Sequence, residues 1–296
     1  NQVGDGLAHG PMLARAQNAG MHLMRSPARL MRLRPFVQAL WASEPAAGDC
    51  VRPGAREHVL PTGAMHLVFR LSGPPLRLFD GDHDLAGHSA GGHALVGGPR
   101  ERFYLRDVSQ PCASVGVLLQ PGAALPLLGA PADALAGCHT PLGDLWGAQA
   151  GLALERLQEA GNLEARLDLF ESLLLQRLGD SFHGLHPAVA QSLAPLGLGT
   201  LRVRELAERS GYSHRRFIDL FRAATGLAPK AYARVQRLGR VLDLAGDAQR
   251  GWADIADEAG FSDQSHLTRE FGEIAGLSPQ AWRRVASAGA PRHVPR

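Results

Sequence analysis

Residues 255–282 contain the stretch that decides the fold, and they read IADEAGFSDQSHLTREFGEIAGLSPQAW. Residues 206–232 read LAERSGYSHRRFIDLFRAATGLAPKAY, which repeats the same pattern of apolar, glycine and serine positions. The two copies are offset by 49 residues up to the serine and by 50 after it, so the second copy has one extra residue in its turn. A repeat of this kind indicates two copies of one supersecondary unit.

Each copy has the features of a helix-turn-helix unit. Gly211 and Gly260 would end a first helix in the left-handed conformation, which a β-carbon penalises. Ser213 and Ser262 would then cap the free amides of a second helix. Residues 229–245, between the copies, are predicted to form one helix roughly 25 Å long, which could hold the two units about one DNA turn apart.

The outer faces of the two second helices carry side chains suited to reading DNA. A recognition helix in the major groove presents side chains to base edges, where glutamine pairs with adenine and arginine with guanine. The predicted base-reading residues are Gln264, Ser265, Thr268 and Arg269 in the second copy, and Arg215, Ile218, Asp219 and Arg222 in the first. The predicted phosphate contacts are Arg216, Arg234, Ser213 and Ser262.

The segment 186–285 resembles the AraC/XylS family of bacterial regulators. The motifs that carry the resemblance are Gly-Tyr-Ser at 211–213, Arg237 and Arg240 in the linker helix, the phrase from Gly260 to Phe271, and Gly-Leu-Ser-Pro at 276–279. This resemblance implies a double helix-turn-helix domain that binds double-stranded DNA. The sequence departs from the family at Ile218 and Asp219, where a polar and a basic residue are common.

The amino-terminal part favours β-structure. Short apolar runs alternate with turn residues over 36–120, as at 65–71 and 115–119, and Asp80-Gly81 is predicted to form a hairpin turn. The runs 57–63 and 119–122 resemble a poorly characterised β-rich domain that often precedes the helix-turn-helix pair. In the family, such a domain typically binds a small effector or mediates dimerisation.

Leucines recur at helical spacing from Leu152 to Leu178, which predicts a pair of helices, and the stripe from Leu163 to Leu178 is either core or a dimer seam. The sequence thus predicts an α+β protein with four regions. They are a disordered leader over 1–34, a β-rich effector-binding and dimerisation domain over 35–180, a double helix-turn-helix domain over 186–285 and a disordered tail over 286–296.

The net charge also differs between the amino-terminal and carboxyl-terminal parts of the chain. Residues 186–296 hold 16 basic and 11 acidic residues, a net charge of +5, whereas residues 1–185 hold 15 and 17, a net charge of −2. A basic surface attracts phosphate, so this asymmetry favours a nucleic-acid partner for the carboxyl-terminal part.

Several other patterns point away from catalysis and metal binding. Cys50, Cys112 and Cys138 lie far apart without a CxxC pair, which argues against disulfides and structural zinc. The five-residue spacing of His83, His88 and His93 would place alternate imidazoles on opposite faces of a strand, so these are predicted to be surface or turn residues. Cys138-His139 could be a nucleophile and base, but adjacent side chains point apart, and an ordinary thiol is favoured.

The patterns together predict a cytoplasmic, sequence-specific transcription regulator that is not an enzyme and needs no cofactor or metal. No run approaches the roughly 20 apolar residues that span a membrane. Its predicted partner is double-stranded DNA, and the resemblance adds RNA polymerase, a small-molecule effector and a homodimer. Two alternatives stay open: an enzyme domain fused to a DNA-binding module, and an architectural DNA binder without an effector. Whether the protein is an activator or a repressor also stays open.

Overall fold

Eleven strands are described in the computed structural model, which covers residues 22–26, 28–81, 83–179, 184–286 and 291–296. The strands are β1 (His22–Arg25), β2 (Val37–Ser43), β3 (Arg56–Val59), β4 (Met65–Arg70), β5 (Arg77–Phe79), β6 (His88–Ser89), β7 (Ala94–Gly97), β8 (Tyr104–Asp107), β9 (Ser114–Leu119), β10 (His139–Pro141) and β11 (His293–Pro295). Within the described residues they form a six-stranded sheet in the order β1-β2-β9-β4-β7-β10 and a five-stranded sheet in the order β11-β3-β8-β5-β6.

The helices divide into two groups. Four follow or flank the six-stranded sheet: α1 (Ala124–Leu128), α2 (Gly143–Trp146), α3 (Gln149–Glu159) and α4 (Leu163–Leu178). The others form the carboxyl-terminal part: α5 (Pro187–Leu198), α6 (Val203–Ser210), α7 (His214–Thr225), α8 (Pro229–Leu244), α9 (Trp252–Glu258), α10 (Gln264–Ala275) and α11 (Pro279–Val285). Short 3-10 helices lie at Met31–Leu33 and Ala132–Leu135. The α+β class predicted from the sequence is therefore confirmed.

The largest core lies between the six-stranded sheet and α4. Leu67 and Phe69 of β4 are fully buried there, and the Phe69 ring packs edge-on against Phe170 with 5.6 Å between centroids. Leu167 and Leu174 join the same core. The leucine stripe predicted as core or dimer seam thus belongs to the core, because it faces the apolar side of the sheet.

The carboxyl-terminal helices enclose two smaller cores. Phe217 and Phe221 of α7 are completely buried in the first, and Leu267 and Phe271 of α10 are buried in the second. The linker helix α8 contributes to both cores, with Val235 in the first and Leu238 in the second. Each helix-turn-helix unit therefore has its own core, and α8 joins them.

A strand lies inside the segment predicted to be a disordered leader. Strand β1 pairs with β2, and Arg25 lies 2.9 Å from Glu171 and 2.7 Å from Glu164 of α4. Residues 1–21 of that leader lie outside the described residues. The prediction over 1–34 extended too far, because the composition of the segment does not reveal ion-pair partners about 140 residues away in the sequence.

A strand also lies inside the predicted disordered tail. β11 pairs antiparallel with β3, with His293 opposite Val59, and Val294 is 2% exposed within the core of the second helix-turn-helix unit. The guanidinium of Arg292 donates to the carbonyl of Pro61. The tail thus returns to the amino-terminal sheet, which a short polar stretch of sequence does not reveal.

The connection between β5 and β6 is longer than the predicted tight hairpin turn. The two strands pair, with Arg77 opposite Ser89, but the connection runs from Asp80 to Gly87. The carboxylate of Asp84 accepts hydrogen bonds from the backbone N–H groups of Asp80 and Gly87, which stabilise the longer loop.

Across the described ranges, no helix has both the length and the apolar character that crossing a lipid bilayer requires.

Candidate nucleic-acid interface

The first helix-turn-helix unit consists of α6 and α7. Helix α6 ends at Gly211, which has a φ of 73° and lies in the left-handed region. The Ser213 hydroxyl then accepts a hydrogen bond from the Arg216 N–H (3.3 Å) and caps α7, as predicted. This turn leaves the outer face of α7 exposed.

The second unit consists of α9 and α10, and its cap differs from the prediction. Gly260 has a φ of 82°, as the turn requires. The cap of α10 is Asp263, whose carboxylate accepts a 2.7 Å hydrogen bond from the His266 N–H. That hydrogen bond lowers the pKa of Asp263. Ser262 instead lies 3.2 Å from Asp263 and does not cap the helix, because the extra residue in the turn moves the cap position by one.

The predicted base-reading residues of α10 lie together on its exposed face. Gln264, Ser265, Thr268 and Arg269 are all exposed. The Thr268 hydroxyl donates to the Gln264 carbonyl (2.9 Å), so its proton is already engaged within the helix. The Arg269 side chain forms no hydrogen bond or ion pair with any described residue. Its guanidinium therefore has all its donors available for a ligand.

The predicted base-reading residues of α7 are not all exposed. Arg215, Asp219 and Arg222 are exposed, whereas Ile218 is half-buried. An open cleft separates α7 from the 3-10 helix Ala132–Leu135 of the amino-terminal part. Pro131 and Asp133 line one side of the cleft, and Arg216, Asp219, Leu220, Arg222 and Ala223 line the other. One flank of α7 thus borders the amino-terminal part of the chain.

The two arginines predicted to contact phosphate differ in whether acidic residues already pair with them. Arg216 is exposed at the start of α7. Arg234 of α8, in contrast, lies 2.7 Å from Glu273 and 3.4 Å from Glu270 of α10. Its charge is therefore partly satisfied within the protein, and a phosphate would compete with two carboxylates for it.

Two other arginines of α8 brace the second unit, a role that sequence reasoning missed. Arg237 donates to both oxygens of the buried Glu270 (2.7 and 2.8 Å) and stacks 4.5 Å from the centroid of the Phe261 ring. Arg240 donates to the Ala259 carbonyl (3.0 Å) at the end of α9. These contacts fix α9 and α10 against α8. The only sequence signal for this role was the spacing of the two arginines on one helix.

Both units also contact the amino-terminal part at equivalent positions. The Gly122 N–H donates to the Ala224 carbonyl (2.8 Å) at the end of α7, and the Phe103 N–H donates to the Ile274 carbonyl (2.8 Å) at the end of α10. The His58 ring stacks on Phe103 (4.6 Å between centroids) and lies 3.2 Å from the Ala275 carbonyl. The amino-terminal part thus holds the carboxyl ends of both recognition helices.

The cysteine and histidines considered for catalysis or metal binding do not form one common site among the described residues. Cys138 is exposed and contacts the carbonyl of Leu135 (3.3 Å), whereas His139 accepts a hydrogen bond from Arg100 (3.0 Å), so the two do not form a nucleophile–base pair. His88, but neither His83 nor His93, lies in a group able to offer metal ligands. It joins Asp80 and Asp84, with the ligand atoms within 4.8 Å of one another.

Two family models match the chain. One is described as a helix-turn-helix domain and matches residues 206–285, which run from α6 to the end of α11. The other is described as a domain of unknown function and matches residues 28–141, which contain most strands of both sheets.

Curated relatives match over the helix-turn-helix segment. The melibiose operon regulatory protein of Escherichia coli K12 is 29% identical over 86 residues, which are 29% of this chain and 28% of that protein. YkgA of the same organism is 32% identical over 83 residues, which are 28% of this chain and 35% of that protein. The chain thus spans about a third of the length of these relatives.

Two solved structures are similar at low sequence identity. ToxT from Vibrio cholerae is 12% identical, with a TM-score of 0.41, over 80% of this chain and 98% of that one. The carboxyl-terminal domain of AraT, a response regulator from Geobacillus stearothermophilus, is 19% identical, with a TM-score of 0.32, over 34% of this chain and 86% of that one.

Proposed function

By its helix-turn-helix domain this chain belongs to the AraC family, and we propose on that premise that it is a sequence-specific, DNA-binding transcription regulator. The observation that carries the proposal is the exposed polar face of the capped helix α10, on which Gln264 lies one turn before Thr268 and Ser265 lies one turn before Arg269. Helix-turn-helix proteins place such a face in the major groove.

The second recognition helix would supply most of the base reading. Its outer residues are exposed, and none of them lines the cleft beside the amino-terminal part. On α7, Arg216 and Arg222 share that cleft with Asp133, and Ile218 is half-buried. Helix α7 would therefore contribute through Arg215 and through phosphate contacts more than through a set of specific base contacts.

Helix α8 would fix the distance between the two readers. It spans 16 residues, or about 24 Å, and its side chains enter both helical cores. Arg237 and Arg240 hold the second unit on this helix. Two readers attached to one rigid helix could enter successive major grooves on one face of a duplex, whose turn repeats every 34 Å or so.

The remaining partners follow from this role. A transcription regulator acts with RNA polymerase on cytoplasmic DNA, and we propose the same here for the full chain. The amino-terminal sheets would bind a small effector or a second copy of the chain, and they contact the ends of both recognition helices. A ligand that alters these contacts could change how the two readers are held.

Selection of binding sites from a random DNA pool tests the proposed function. The full chain is expected to enrich a motif with a strong element for α10 and a weaker element one helical turn away. Equal retention of all sequences would support an architectural binder instead. Failure to retain any duplex at low salt would contradict DNA binding altogether, because nonspecific phosphate contacts persist there.

A further inference from the structure

Residues 211–216 form a continuous exposed stretch at the turn of the first helix-turn-helix unit. A recognition helix enters the major groove with its amino-terminal residues, so the residues just before that helix lie at the groove edge, where the phosphate backbone runs. Tyr212 lies at this point, one residue before the cap of α7, and it is 39% exposed. Its position places it beside DNA phosphates in a complex that uses α7.

The Tyr212 hydroxyl has one hydrogen-bonding partner among the described residues, the imidazole of His186. The hydroxyl oxygen lies 3.2 Å from Nε2, and the two rings meet edge to face with 5.5 Å between centroids. His186 immediately precedes α5, a helix that packs against α7 and α8. The two residues are 26 positions apart in the sequence, so the fold of the first unit brings them together.

The other nitrogen of His186 decides in which direction this hydrogen bond runs. His186 caps α5, and its Nδ1 accepts the N–H of Ala188 (3.2 Å). A neutral imidazole that accepts at Nδ1 carries its proton on Nε2. Nε2 therefore donates to the Tyr212 oxygen, and the proton of the tyrosine hydroxyl is left for another acceptor.

This free proton is suited to an anionic acceptor. It has no acceptor among the described residues. A hydroxyl that accepts one hydrogen bond is polarised and donates a second one more strongly. Hydrogen bonds to an ionised acceptor are in turn about twice as strong as those between neutral groups. An exposed phenol O–H at the groove edge therefore matches a phosphate oxygen.

The charges that follow Tyr212 also favour an anion. Arg215 and Arg216 lie on the first turn of α7, both are exposed, and neither forms an ion pair with a described residue. Asp219 is the only carboxylate within α7, and it lines the cleft beside the amino-terminal part. The start of α7 thus attracts a phosphate.

We propose that Tyr212 donates a hydrogen bond to a DNA phosphate and that His186 is the positioning residue that orients its hydroxyl. The inference rests on the proposed function and adds a contact to it. Phosphate contacts carry no sequence information, but they fix the register and orientation of a helix on the duplex. Helix α7 has few specific base readers, so a directed phosphate contact determines how it is seated in the groove.

Duplexes that carry a single methylphosphonate test this contact in the full chain. The substitution removes the charge of one phosphate, and a set of such duplexes covers every phosphate of the selected DNA site. For the parent protein, one position flanking the α7 element is expected to weaken binding about tenfold. Tyr212→Phe should bind the unmodified duplex about tenfold more weakly and lose its sensitivity at that one position, because the paired changes remove the same contact.

Salt dependence separates this contact from those of the arginines. Removing a cation from a phosphate reduces counterion release, so Arg216→Ala should flatten the slope of log affinity against log salt by about one. Tyr212 contributes no charge, so Tyr212→Phe should keep the parent slope while lowering the affinity at every salt concentration. Tyr104→Phe removes the same hydroxyl from strand β8 and should change neither the affinity nor the slope.

His186→Asn isolates the positioning role. Asparagine also caps helices, but its side chain is too short to reach the Tyr212 hydroxyl. The variant should keep the melting temperature of the parent and bind DNA about threefold more weakly. Combined with Tyr212→Phe it should have no further effect, because His186 acts through that hydroxyl. A purely structural role would instead give the same loss in both backgrounds.

Three outcomes would overturn the phosphate contact. Tyr212→Phe binds DNA as tightly as the parent does, it keeps the parent's sensitivity to every methylphosphonate, or its loss is confined to duplexes with one particular base pair. Equal losses from His186→Asn with and without the Tyr212 hydroxyl would refute the positioning role. The parent protein separates this inference from the proposed function. A parent that binds DNA while Tyr212→Phe binds equally well refutes only the contact, whereas a parent that binds no duplex refutes both.

Discussion

Asp263 and Ser213 occupy the same structural position, the amino-terminal cap of a recognition helix, although they are offset by 50 residues rather than 49. Asp263 caps α10, whose predicted base-reading residues are all exposed, and it places a negative charge at the positive end of that helix. The neighbouring Ser262 contacts Asp263 and His266 without accepting a backbone amide.

Replacing these two neighbours tests which one caps the helix. Asp263→Ala should lower the melting temperature by a few degrees, because it leaves amides of the first turn without an acceptor. Ser262→Ala should have a much smaller effect in the same thermal melt. The opposite ranking would mean that the serine caps α10 in solution.

Arg269 is the residue on which the base-reading hypothesis depends most. It is exposed and has no ion pair among the described residues, so a guanine could take its full hydrogen-bonding capacity. Arg234 is the contrasting case, since Glu270 and Glu273 already neutralise it.

Arg269→Ala should weaken binding to the selected DNA site by about 1–3 kcal/mol and relax the preference at one base pair. Arg204→Ala is the matched control, because Arg204 is also exposed but lies on α6, paired with Glu208 (2.9 Å). Fluorescence anisotropy with matched and mismatched duplexes measures both effects. Uniform loss on every duplex would make Arg269 a phosphate contact.

At the scale of elements, the two recognition helices end in the same way. Gly226 and Gly276 each follow the last helical residue with a φ near 75° and pack directly against the amino-terminal part. A β-carbon at Gly226 would lie 2.3 Å from Pro99, and one at Gly276 would lie 2.2 Å from Phe103. The repeat therefore provides two equivalent docking points as well as two candidate recognition helices.

A pair of glycine substitutions separates docking from backbone strain. Gly260→Ala has open space around its β-carbon and should cost only about 1 kcal/mol for the left-handed conformation. Gly276→Ala should cost an additional 1–3 kcal/mol or so, because its β-carbon overlaps the Phe103 ring. Denaturant unfolding of the full chain measures the difference. Equal losses would show that α10 and the sheet separate in solution.

At the scale of the whole molecule, the described chain has its main core on one side of the six-stranded sheet and, on the other side, a small apolar cluster around Leu78 and Leu95 next to His66 and His139. Both histidines are held neutral. Burial and nearby cationic groups lower the pKa of His66 to about 4 and that of His139 to about 2. For His66 the charged neighbours are Arg106, His293 and Arg100, and for His139 they are His66, Arg100, Arg106 and His88.

Stability should therefore fall as the pH drops from 7 toward 4. Below about pH 6.5 the unfolded chain protonates both histidines while the folded chain does not, so protons favour unfolding, by at most about 1.4 kcal/mol per pH unit for each group. The double variant His66→Gln and His139→Gln should flatten the melting temperature against pH. His83→Gln, on an exposed loop, should retain the parent slope. A parent protein with equal stability at pH 7 and pH 5 would contradict the lowered pKa values of the two histidines.

Much of this protein could be predicted from local sequence, because helix-turn-helix units are built from contacts close in the chain. The repeat, the turn glycines and the apolar spacing together define α6 to α11, since each helix packs on its neighbours. The exposed face of α10 follows from the same spacing, because positions opposite the apolar stripe face solvent. The strands near 65–71 and 115–119 were likewise predictable from alternation, but not their partners.

Only the tertiary structure decided how distant segments meet. His293 lies 3.0 Å from Glu57, although 236 residues separate the two in the sequence. No local sequence pattern predicts this contact, because it depends on the pairing of β11 with β3. The pairing of Arg234 with Glu273 is decided in the same way, by the packing of α8 beside α10. Helix caps and apolar periodicity involve residues close in the sequence, so the sequence alone determines them. Ion pairs between distant residues depend on where the folded backbone brings those side chains together.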